Sequence, residues 1–138
     1  MPAPATDTQF TQDALDKIFP PDRADRFFEA LFGDAEEGAY DISLVYRGVA
    51  NDQIGFEFHL KQRDGKCLAC NLTYGLPEVF LRHRVIDVAD VVRQIDSMMT
   101  NGKRCKDWKL GRTQEISRIL HVIPLTIDLV AGNPAEPT

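Results

Sequence analysis

Two groupings of residue types in this 138-residue chain could do chemistry. The first is Cys67-Leu68-Ala69-Cys70, a C-x-x-C spacing, with Glu57 and His59 upstream of it. Two thiols so spaced act as a redox couple or as half of a zinc site when both sulfurs converge, as they do at a helix N-terminus or a zinc knuckle. Cys67, His59 and Glu57 can also be written as nucleophile, base and orienting carboxylate. The second grouping is Arg82-His83-Arg84. Set just before a helix, three cationic or partly cationic groups can receive an anion, a phosphate or an acidic partner.

What these groups can do depends on the elements that hold them. Apolar residues occupy every second position in three runs: Tyr40, Ile42, Leu44, Tyr46; then Ile54, Phe56, Phe58, Leu60; then Leu68, Cys70, Leu72, Tyr74. Strict alternation of this length predicts half-buried strands. Asp64-Gly65 invites a two-residue hairpin, but that turn sets Leu60 opposite Ala69 and mixes the two faces. A three-residue loop Arg63-Asp64-Gly65, with Gly65 left-handed, pairs Leu60 with Leu68, Phe58 with Cys70 and Phe56 with Leu72. In that register Cys67 and Cys70 point to opposite faces, with Cys70 on the apolar one. Glu57, His59, Cys67 and Asn71 share the outer face, where Cys67 and His59 are diagonal neighbours roughly 7–8 Å apart before their side chains reach. That spacing does not build a nucleophile–base bond.

The expectation is therefore packing cysteines, no cofactor and no metal. A zinc site would need Cys105 and a histidine without a second pair at knuckle spacing, and haem attachment would need a histidine where Asn71 stands. No residue is assigned a catalytic role, and the sequence leaves open whether the chain is an enzyme. The ligand-binding candidates are Glu57, His59, Cys67 and Asn71 on the outer face and Arg82, His83 and Arg84 at the corner. The phosphate loop, the dinucleotide glycine motif, H-E-x-x-H and G-x-S-x-G are absent from the sequence.

Around the strands, helix signals are clear. Thr11 is an N-cap with Phe10 and Leu15 at staple spacing, and Pro20-Pro21 ends that helix. Pro21 suits the first position of a second helix with Phe27, Phe28, Leu31 and Phe32 as its stripe and Gly33 beyond its end. Asp87 caps a third, with Asp90 three residues on, and Val88, Val91, Val92, Ile95, Met98 and Met99 inward until Asn101-Gly102. Strands are expected near 106–110, carrying Trp108, and within 120–129, where Pro124 requires an edge or a break. The order α-α-β-β-β-α-β-β predicts an α+β domain, an antiparallel sheet of about five strands with helices on one face. Residues 10–130 form one domain, with flexible tails at 1–9 and 131–138.

Composition sets limits on partners. Hydrophobic residues make up 43% and charged residues 27%, ordinary globular values. The formal charge of -5 disfavours a nucleic-acid backbone, since only short basic patches such as Arg82-His83-Arg84 and Lys103-Arg104 occur. The first residues show no signal peptide, and no apolar run approaches a membrane span. Three cysteines without a secretion signal point to the cytoplasm.

Four segments carry a resemblance: Phe19-Pro20-Pro21-Asp22-Arg23; Phe28-Glu29-Ala30-Leu31-Phe32-Gly33-Asp34-Ala35-Glu36-Glu37-Gly38-Ala39-Tyr40-Asp41; Leu72-Thr73-Tyr74-Gly75-Leu76-Pro77; and Leu120-His121-Val122-Ile123-Pro124-Leu125. With them the chain resembles, over residues 19–129, a small family of uncharacterised bacterial proteins whose members sometimes bear a homeobox-type label. The chain has no basic recognition helix of the kind that label requires. The resemblance implies no activity and no functional residues. In element order alone, the expected arrangement is similar to the small acidic dimeric chaperones of type III secretion.

The function expected first is a non-enzymatic protein-interaction module acting as a homodimer, with itself or another protein as partner and neither nucleic acid nor membrane. Val45 and Ala69 on the outer face, with Leu76, Val79 and Phe80 after the third strand, supply apolar surface for a partner. The alternative is a small-ligand or metal-binding domain, an enzyme in its strongest form, using the outer sheet face or the Arg82-His83-Arg84 corner.

Overall fold

Local signals set the first two helices, and the computed structural model describes them within residues 10–34, 38–50, 52–68, 75–99 and 103–131. Helix α1, Gln12–Ile18, begins where the Thr11 hydroxyl accepts a hydrogen bond from the Ala14 N–H at 3.2 Å. Phe10 and Leu15 are both buried, as a hydrophobic staple requires. Helix α2, Asp22–Phe32, follows Pro21 directly and ends at Gly33, which is left-handed (φ 83°) and donates its N–H to the Glu29 carbonyl. Its inward stripe is Ala24, Phe27 and Phe28. Leu31 and Phe32, expected on that stripe, are exposed at 46% and 57%, Phe32 stacking on the Phe28 ring from outside.

The sheet is built from β1 (Tyr40–Ala50), β2 (Gln53–Gln62), β3 (Lys103–Leu110), β4 (Gln114–Ser117) and β5 (Leu120–Ala131). All pairings are antiparallel, in the order β1-β2-β5-β3, with β4 also paired to β5. Since β5 holds β2 along one side, β3 and β4 follow one another along its other side as a single broken strand. This break explains how Pro124 sits in a central strand. Its carbonyl accepts from the Gly111 N–H at 2.8 Å, so its missing N–H also faces the gap between β3 and β4, where a lost ladder bond costs least.

The fold class is as expected: α+β, with a five-strand antiparallel sheet and helices packed against it. The order among the described residues differs, running α-α-β-β-α-α-β-β-β. The strand expected to begin at Leu68 cannot pair with β2, because both flanks of β2 are occupied: Phe58 lies between Leu44 and Ile123, and Phe56 between Tyr46 and Leu125. Strand β5 wins that place with a longer apolar alternation, Ile123, Leu125, Ile127 and Leu129, all buried. Gly65 is left-handed as expected (φ 75°), but its turn leads out of the sheet, carrying Leu68 into the core. Residues 69–74, which hold the rest of the expected strand, lie outside the described residues, as do 1–9 and 132–138 of the expected tails.

After that turn come α3 (Leu76–Arg82) and α4 (Val88–Met98). The Asp87 carboxylate accepts from the Asp90 N–H, the cap the sequence indicates. Helix α3 corrects a second expectation. Phe80 is fully buried, edge-on to Phe27 and Phe58, and Leu76 and Val79 pack against the core, so none of the three is surplus apolar surface. All four described helices feed one hydrophobic cluster on the face of the sheet formed by Tyr40, Ile42, Leu44, Ile54, Phe56, Phe58 and Leu60. Among the described residues no helix is long and apolar enough to cross a membrane.

Candidate functional site

Because strand side chains alternate, the inward set leaves Ser43, Val45, Gly55, Glu57, His59, Lys61, Val122, Pro124 and Thr126 on the opposite face. Among the described residues no helix covers that face. Glu57 and His59, two positions apart on β2, meet there: His59 Nε2 is 2.9 Å from Glu57 Oε1. The other carboxylate oxygen lies 3.7 Å from Arg47 Nε on β1. Both members of the His59–Glu57 pair keep under a quarter of their side-chain surface exposed. Farther along, Gln53 donates to Asp128 at 2.8 Å across β2 and β5. Glu57, His59 and Arg47, and separately Gln53 and Asp128, thus bond one another on this face.

Arg47 also borders an open groove of about 300 Å³ floored by Gly48 and Gly55, with Thr126 on its far wall. The groove forms where a bulge between Tyr46 and Gly48 shifts the β1–β2 register and two facing glycines leave no side chain. Nothing in the alternation of β1 singles out Arg47, which sits at the bulge. Pairing β1 with β2 as a hairpin brings it out, since that register sets Val45 against Glu57 and Arg47 next to them.

The other candidates are not gathered here. Cys67 is half-buried, outside any strand and disulfide-bonded, so strand parity does not govern it and no free thiolate faces His59. Its expected role as a packing cysteine on the outer sheet face is corrected accordingly. Asn71 and Cys70 lie outside the described residues. Among the described residues Cys105 is a free cysteine.

The Arg82-His83-Arg84 corner does not converge. Arg82 is turned to Glu78 along its own helix, at 3.4 Å. The His83 ring stands edge-on to Phe27 at 4.8 Å between centroids, and its Nδ1 accepts from the Val85 N–H. The α4 N-terminus beyond it is closed by the Asp87 carboxylate, which takes the place an anion would occupy. His121, expected in an irregular stretch, is buried in β5 opposite Leu60.

One further polar lock joins α4 to β3. Asp96 accepts two bonds from Arg104, at 3.1 and 2.7 Å, and a third from the Cys105 N–H at 2.8 Å. The Arg104 hydrogen bond holds the Asp96 carboxyl below its usual range. Burial, with Asp96 beside it, pushes the Cys105 thiol up to about 12. Among the described residues no three His, Cys, Asp or Glu side chains are placed to hold a metal ion. No family model, curated protein or solved structure matches the chain.

Proposed function

We propose that this chain is a non-enzymatic protein-interaction module that self-associates as a homodimer through the outer face of its sheet. The supporting observation is that all described helices feed one face, while no described helix covers the other, where Glu57 is paired with His59 and Arg47. Charges already paired within one copy lose less on desolvation than free ones. Four strand positions at about 4.8 Å and about ten residues at about 3.3 Å make a face of roughly 600 Å² in projection. That is of the order one partner contributes to a standard interface. Val45, half-buried on the face, and Ile116 and Ile119, more than half exposed at the β4–β5 hairpin, add apolar area.

Substitution tests this reading. Ser43→Lys and Val45→Glu, each checked by circular dichroism for retained fold, should reduce the dimer at least tenfold if the face is the interface. An unchanged mass distribution for both would remove the face from consideration.

The groove beside Arg47 favours a second reading, a small-ligand site, since its volume is at the lower end for such sites. NMR shifts at Gly48 and Gly55 on adding a small carboxylate, without change of mass, would select it over self-association.

A further inference from the structure

We propose that the free edge of β3 is a docking strand for an extended acidic segment of a partner protein. The inference rests on the chain being an interaction module but uses a surface other than the self-association face.

Among the described residues β3 ends the sheet, with β5 on one side only. Lys109 pairs with Thr126, and Gly111 donates to the Pro124 carbonyl, so these two residues direct their backbone groups at β5. Antiparallel alternation then turns the N–H and C=O of Trp108 and Leu110 outward, where a further strand would bond. At the near end the Cys105 N–H is already taken by Asp96, which sets where pairing can begin.

The charge along this edge inverts that of the molecule. Five cations fall in residues 103–112 against the single acid Asp107, in a chain of formal charge -5. Lys103 and Arg104 are engaged with Asp52 and Asp96. Lys106, Lys109 and Arg112 are exposed, and no acidic partner meets them among the described residues. Lysines on an edge repel cationic strands and lose hydration against apolar ones, whereas an acidic strand offers them counter-charges. On the inner side, a groove of about 260 Å³ runs between α4 and β3, lined by Ala89, Val92, Cys105 and the half-buried Trp108, with the charged Arg93, Asp96 and Lys106 among them. An added strand presents side chains alternately. Apolar ones would enter this groove against Val92 and Trp108, while acidic ones meet Lys109 and Arg112 outside it, Lys106 standing at the groove itself.

Trp108 is the only tryptophan, so its emission reports directly on the site. The probe is an acetylated, amidated peptide of about eight residues alternating valine and glutamate, a length that covers one strand. A saturable change in Trp108 emission is expected. The triple variant Lys106→Glu, Lys109→Glu, Arg112→Glu should weaken binding at least tenfold, as should N-methylation of the peptide on its pairing side. No saturable change up to about millimolar peptide would overturn the proposal. Equal binding of the N-methylated peptide, or of an oligothymidylate of equal charge, would overturn it too, by showing a general cationic patch. Mass measured in the same samples separates the two readings. A monomer that binds the peptide defeats self-association alone, and a dimer that ignores it defeats the docking strand alone.

Discussion

Asp96 is the residue on which most local chemistry turns, since it ties the α4 helix to the edge strand through one charged side chain and one backbone N–H. Asp96→Ala orphans the Cys105 N–H and should cost about 2 kcal/mol at neutral pH, whereas Asp96→Asn keeps an acceptor and should cost less. Denaturant melts of the two variants check the order. The pH dependence has a definite sign. Asp96 titrates below its ordinary range when folded, so its contribution is complete above about pH 4 and fades as pH falls further. The stability gap between wild type and Asp96→Ala should therefore narrow only below about pH 4. A second residue-scale expectation concerns Cys105. With its thiol pushed up to about 12, it stays protonated at pH 8 and should resist iodoacetamide until the protein is unfolded. Rapid labelling of the folded protein at that pH would contradict the burial assigned to it.

At the scale of elements, the caps and the first two strands were legible because their signals are local: Thr11, Asp87, Gly33 and the alternation through Leu60 each act within a few residues. The place of β5 was not. Pro124 argues for an edge strand under the usual ladder rule, and only the tertiary break at Gly111 shows why it is tolerated centrally. Strand β4 left no trace because all four of its residues are exposed and nothing alternates. Of the candidate site, the Glu57–His59 pairing followed from period-two parity, while Arg47 depended on a hairpin register and Cys67 on a turn that parity cannot describe. The Gly111–Pro124 contact is testable. A methyl at position 111 would stand 2.9 Å from Pro124 Cγ, so Gly111→Ala should cost about 1–3 kcal/mol. Phe58→Ala, at the crossing of β1, β2 and β5 and edge-on to Phe19 and Phe80, should cost about 3–5 kcal/mol. Equal stability of Gly111→Ala and wild type would undo the explanation of the central proline.

For the whole molecule, the layered arrangement matters more than any single side chain. One face of the sheet is filled by helices, the other carries the bonded Glu57, His59 and Arg47 near Val45, and on the β3 edge Lys106, Lys109 and Arg112 meet no acidic partner among the described residues. On these features we propose contact with proteins rather than turnover of a substrate, with self-association on the face that no described helix covers. The most direct measurement is the mass of the full chain by sedimentation equilibrium from low to high micromolar concentration. The account predicts a dimer of two 15.5 kDa chains that dissociates on dilution and is lost in Val45→Glu. A monomer persisting at high micromolar concentration would contradict it.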